Sequence, residues 1–169
     1  MKSLFAAAAL TVATALSAAA ETCIDITEAV VFCPSGTLWD GLTWQRLSEP
    51  PSTVWETEDL ALIIGEVPVE FAGGPIEIGQ SALAEAIDDF SPVPEGAEEL
   101  GRFAPLGSDQ PATSRATHDA QRGVIEYVTL YTIGGAILLV QTVANDDRLT
   151  QDHGIRHEQA LRALAEAGA

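Results

Sequence analysis

Two histidines, His153 and His157, stand four residues apart in a stretch of helical character. At i, i+4 both imidazoles share one helix face, the spacing that can offer two ligands to one metal ion. Glu158 follows His157 directly but points about 100° away from it, so no His-Glu-x-x-His zinc motif arises. No third ligand is identifiable. The alternative is structural: Leu149, Leu161 and Leu164 lie on the same side as the histidines, which makes the pair the semi-buried margin of an amphipathic face. The structural alternative is the better supported, and no metal or other cofactor is expected.

Glu85, Asp88 and Asp89 crowd the end of an earlier helical stretch. Negative charge there opposes the helix dipole, and three carboxylates could hold Ca²⁺. A solvated face in a chain that is acidic throughout is the better reading, since no spaced calcium loop accompanies them. Asn145-Asp146-Asp147 reads as a turn for the same reason. His118-Asp119 could serve a catalytic triad, but no Gly-x-Ser-x-Gly elbow exists. Ser108 and Ser114 have no activating context. No catalytic residue is expected. Trp39, Trp44 and Trp55 form an aromatic set near the N-terminal strands. Core packing accounts for them, while joint exposure of two would mark a partner or ligand surface.

Cys23 and Cys33, ten residues apart, are the only cysteines. The spacing is not Cys-x-x-Cys, and no basic residue flanks either thiol to lower its pKa. A structural disulfide is expected, closing a loop of about 11 residues and stabilising the fold by roughly 3 kcal/mol.

These residues need elements to position them. Leu42 to Trp44 follows Thr37 to Trp39 across Asp40-Gly41, a hairpin signal. Glu49-Pro50-Pro51-Ser52 breaks the chain. Leu60 to Ile64 reads as a buried strand, and Val69 to Phe71 as a short one closed by Gly73-Gly74-Pro75. Gln80 to Phe90 is a helix with Leu83, Ile87 and Phe90 in one apolar stripe, stopped by Pro92 and Pro94. Residues 91–112 form a long loop anchored by Phe103 and Leu106, with a short strand at Gly101 to Phe103. Ala112 to Thr117 is an edge strand. Val124 to Tyr131 is strongly β-forming, Gly134-Gly135 supplies a tight turn, and Ala136 to Ala144 returns. A last helix runs from about Asp152 to Ala167. Strands not alternated with helices predict α+β, with an antiparallel sheet around the central long hairpin.

The chain of 169 residues carries 8 Lys+Arg against 25 Asp+Glu, a net charge of −17. Such a field repels phosphate backbones, so no nucleic acid is expected as partner. Residues 1–20 read as a secretory signal peptide: Lys2, an apolar stretch from Leu4 to Leu16, and Ala18-Ala19-Ala20 before the cut. The stretch is too short to span a bilayer, so no transmembrane anchor is expected. Cleavage following Ala20 would leave a periplasmic or secreted protein. Residues 21–36 would be a disulfide-stapled segment and 37–169 a single α+β domain, expected as a monomer. Lys2 is the only lysine, which excludes Schiff-base chemistry and a P-loop in the mature chain.

Leu42-Thr43-Trp44, Pro50-Pro51, Trp55, the run Tyr127 to Thr132, the Gly134-Gly135 turn, Ile137 to Ala144 and the closing helix together resemble the PsbP-like, DcrB-like domain superfamily over residues 37–168. That resemblance implies an αβα sandwich, an antiparallel sheet between an internal and a C-terminal helix. It also implies a binding or adaptor role without a shared catalytic set. The chain departs from the family in its N-terminal cysteine pair and its lack of lysine. The expectation is an exported, non-enzymatic domain acting on a protein partner in the cell envelope. The alternatives are a carrier of a small hydrophobic ligand and, behind it, a metal-dependent enzyme using His153 and His157.

Overall fold

A computed structural model describes residues 23–68, 79–105, 110–145 and 151–168. The expected signal peptide with Ala20, the expected strand at Val69 to Phe71 and its expected Gly73-Gly74-Pro75 closure lie outside them. So do Leu106, Ser108, Asp146-Asp147 and Leu149. In chain order the elements are β1 (Ile24–Asp25), β2 (Val30–Phe32), β3 (Trp44–Ser48), β4 (Pro51–Glu56), β5 (Leu60–Glu66) and α1 (Gln80–Phe90). Then come β6 (Glu98–Phe103), β7 (Ala112–Asp119), β8 (Val124–Ile133), β9 (Ala136–Ala144), α2 (Gln151–Arg162) and β10 (Leu164–Glu166).

The strongest β-forming run lies at the middle of the molecule. β8 and β9 pair antiparallel from Ile133↔Ala136 outward, across Gly134 (φ 58°) and Gly135 (φ 78°). Positive φ at both turn residues is what a tight hairpin of right-handed twist demands, and glycine meets it without a Cβ clash. The hairpin sits inside a seven-stranded antiparallel sheet of order β3-β4-β5-β9-β8-β7-β6.

Period-two alternation sends successive side chains to opposite faces of this sheet. On one face, Val128, Leu130 and Ile137 pack against Leu83 and Ile87 of α1. On the other, Leu60, Leu62, Ile64, Leu138 and Val140 join Ala160, Leu161 and Leu164 from α2 and β10. The sheet therefore lies between the two helices, an α+β sandwich of three layers. Leu83 and Ile87 are 1% and 0% exposed, each worth about 1.5–3 kcal/mol of apolar burial. Gln80 pins the start of α1, its side chain donating to the carbonyl of Ala112 and accepting from the Ala112 N–H at 3.1 Å.

Four details depart from the sequence expectation. Thr37 to Trp39 form turns rather than a hairpin strand, because Thr37 N–H and Oγ1 both donate to the Pro34 carbonyl, at 2.9 and 2.6 Å. Ala112 to Asp119 is an interior strand, because β6 covers its outer side. That strand, β6, begins at Glu98, three residues before the Gly101 start that the sequence implies. Finally, the closing helix stops at Arg162, and β10 pairs with β2 as Leu164↔Phe32 and Glu166↔Val30. Helix-forming residues there yield to tertiary pairing.

The cysteines form the expected Cys23–Cys33 disulfide. It brackets β1 and β2, which join β10 in a three-stranded sheet. No described helix is long and apolar enough to cross a membrane.

Candidate functional site

α2 places His153 and His157 against the centre of the hairpin. Both are buried, at 4% and 1% exposure, so the pair lies in the interior rather than at a semi-buried margin. Strand alternation aims Thr129 of β8 and Thr142 of β9 at the same helix. His157 Nε2 lies 2.7 Å from Thr129 Oγ1, and its Nδ1 lies 2.9 Å from Thr142 Oγ1. His153 Nε2 also meets Thr142 Oγ1 at 2.9 Å. Thr129 continues to Ser114 Oγ on β7, at 2.6 Å. The result is one buried chain, Ser114–Thr129–His157–Thr142–His153.

Burial, and secondarily the neighbouring His153, push the His157 pKa down to about 3. The ring is therefore neutral near pH 7, with one nitrogen donating and the other accepting. Each hydroxyl can donate once and still accept, so the chain satisfies itself in either direction. A buried polar network of this kind is stable only when every member is paired. The two imidazoles thus meet through a shared hydroxyl, and both His157 nitrogens are already committed to protein partners. Among the described residues, no three His, Cys, Asp or Glu side chains gather as a metal set.

Beside this chain lies a cleft of about 280 Å³ between β6 and α2. Leu100 and Phe103 form one wall, Gly154 and Glu158 the other, and Tyr127 with Ala116 and the edge of His157 the floor. A bulge makes the first wall. The register jumps from Glu99↔Thr117 to Gly101↔Ala116, so Leu100 and Phe103 both reach the cleft although three residues apart. In an uninterrupted strand they would point to opposite faces. They are 39% and 40% exposed. Phe103 meets Tyr127 edge-on at 6.0 Å, and Tyr127 stacks on His157 at 5.4 Å and meets His153 edge-on at 4.7 Å. Burial, then the charge of Glu158, raise the Tyr127 pKa, which keeps its hydroxyl protonated. Gly154 leaves room for that hydroxyl: an added Cβ would lie 3.4 Å from Tyr127 Oη.

The other candidates are dispersed. Trp39 and Trp55 are 1% and 0% exposed, and only Trp44, at 46%, reaches the surface. Trp39 Nε1 donates to the Arg156 carbonyl at 2.9 Å, and Trp55 packs on Phe32 at 4.7 Å. The three tryptophans therefore form no joint surface, since two of them are spent on the core. Asp88 receives Arg115 Nη1 at 2.6 Å and Arg102 Nη2 at 2.8 Å, so it is an ion-pair hub rather than part of a calcium cluster. Asp119 accepts the Gln121 and Arg122 amides at 3.0 Å, capping the turn into β8 instead of orienting His118. Ser114 is wholly buried. The histidine spacing was visible in the sequence; its threonine partners and the bulge were not. The chain matches no protein-family model and no curated relative.

Proposed function

We propose that this is an exported, non-enzymatic binding domain that engages a protein partner through the cleft between β6 and α2. The observation that carries this reading is the contrast between the two neighbouring features. The groups suited to proton transfer, His153, His157 and Ser114, are buried and linked to one another through the hydroxyls of Thr129 and Thr142. The surface beside them that a ligand can reach is walled by apolar Leu100 and Phe103. Surface apolar groups collected around a concavity favour recognition. The resemblance to PsbP-like domains, with their binding and adaptor roles, points the same way. The disulfide and the leader-like residues 1–20 support export.

A second reading, a carrier for a small hydrophobic molecule, uses the same cleft. Its openness weighs against that reading. Sites that hold a drug-sized ligand cover most of its surface, whereas Leu100 and Phe103 of the wall stay 39% and 40% exposed, which suits an inserted side chain better. The test is a photo-crosslinking amino acid placed at position 103, and separately at the exposed Leu38, in the protein expressed in its own host. Adduct formation with a protein at 103 and not at 38 is the expected result. A native mass spectrum showing a tightly held small molecule, with no adduct at 103, would favour the carrier instead.

A further inference from the structure

Resting on that cleft reading, we infer that the side chain the cleft accepts is basic: an arginine or lysine of the partner. Its stem lies on Leu100, and its charge meets Phe103, Tyr127 and Glu158. The cleft joins two aromatic rings to a carboxylate, and this pairing selects cations. Phe103 and Tyr127 stand at 74° to one another, and Phe103 retains 40% exposure. A cation over such a ring gains about 0.5–1 kcal/mol at an exposed site and about 2 when desolvated. Arginine and lysine also carry aliphatic stems that cover apolar surface while the head stays polar, which matches a wall made by Leu100.

Glu158 supplies the counter-charge. Its present partner is Arg162 at 3.3 Å, a contact whose arginine is 64% exposed. An exposed i,i+4 pair is worth only about 0.3–0.5 kcal/mol, so a cation held against the rings displaces it. Arg102 does not compete, because it is bound on the other face of the sheet by Glu99 and Asp88. Glu98 shares the face of Phe103, through the register Glu98↔His118 and Phe103↔Ser114, and adds negative field. The floor contributes no repulsion, since His157 is neutral near pH 7. The net charge of −17 steers basic partners toward the surface and acidic ones away.

The experiment uses the mature protein, ¹⁵N-labelled, titrated with a capped Leu-Arg-Leu peptide and with its citrulline counterpart. Citrulline keeps the shape and removes the charge. The expected result is movement of the Leu100, Phe103, Gly154 and Glu158 amides, with the arginine peptide binding about fivefold more tightly than the citrulline one. F103A and E158Q should each abolish that preference, and amide spectra of both variants verify that they are folded. Equal binding of the two peptides at the cleft overturns the basic-partner inference and leaves the binding reading standing. No amide movement at the cleft with either peptide overturns both.

Discussion

His157 Nε2 lies 2.7 Å from Thr129 Oγ1, and through this contact between two buried side chains α2 is fastened to the central hairpin. The second contact, from Nδ1 to Thr142 Oγ1 at 2.9 Å, ties the same ring to the other strand. One neutral imidazole thereby fixes the helix against both β8 and β9, and the cleft wall of Gly154 and Glu158 is held by that fixation.

Thr129→Val keeps the side-chain shape and removes the hydroxyl. Ser114 Oγ and His157 Nε2 then lose their partner in a buried setting, at a cost of about 1–3 kcal/mol. Ser114→Ala removes only the end of the chain and should cost about 1 kcal/mol. The double variant should cost less than the sum, because the two share one network. Urea unfolding followed by circular dichroism measures all three, and additivity would show that the chain is not a unit.

Acid should weaken the fold before the carboxylates titrate. The folded His157 pKa, about 3, lies below the ordinary histidine value of 6.5. Between these values the unfolded chain binds the extra proton, so this contribution is complete above pH 6.5 and is lost as pH falls toward 3. The slope reaches about 1.4 kcal/mol per pH unit. Glu99, whose pKa is held down by its hydrogen bond from Arg102, adds its loss only below its usual value near 4.5. Unfolding free energies measured at pH 7.0, 6.0 and 5.0 and compared with those of His157→Gln therefore give the share of this imidazole. In His157→Gln that part of the slope should flatten.

The ion-pair hub should respond asymmetrically. Arg115 is 0% exposed and depends on Asp88, whereas Arg102 is 37% exposed and also holds Glu99. Asp88→Asn removes the counter-charge of a buried guanidinium that keeps only Ser91 as partner among the described residues and should cost about 1.5–3 kcal/mol. Arg102→Ala breaks partly exposed pairs and should cost below about 1 kcal/mol. Equal losses in chemical denaturation would contradict the burial assigned to Arg115.

Gly154→Ala should stabilise α2 and impair the cleft. Alanine in a helix interior gains up to about 1 kcal/mol over glycine, and the new methyl lies 3.4 Å from Tyr127 Oη, at the edge of ordinary contact. The expected outcome is a raised melting temperature with weaker uptake of the Leu-Arg-Leu peptide. A raised melting temperature with unchanged uptake would move the binding surface away from this wall.

Local signals that agree with their tertiary setting were legible in the sequence. α1 spans Gln80–Phe90 because an apolar stripe and two prolines bound it. The hairpin formed where β-branched residues flank Gly134-Gly135. The stretch Leu164-Ala165-Glu166 carries helical composition, and only its pairing to Val30 to Phe32 makes it a strand. Leu100 and Phe103 are out of phase on a regular strand, so a cleft wall cannot be read from them without the bulge. The i, i+4 histidines were plain, but Thr129 and Thr142 are ordinary strand residues until the sheet aims them at α2.

The pairing of β10 with β2 bears on the timing of folding. β2 is the middle strand of the small sheet, and its second neighbour is drawn from the far end of the described chain. A polypeptide emerging N-terminus first must leave that edge of β2 open until residues 164–166 arrive. The disulfide loop can close early, but the sheet it belongs to is completed only after all seven strands of the large sheet have been made. Among the described strands, β1 and β2 are thus made first, and the small sheet they belong to is completed last.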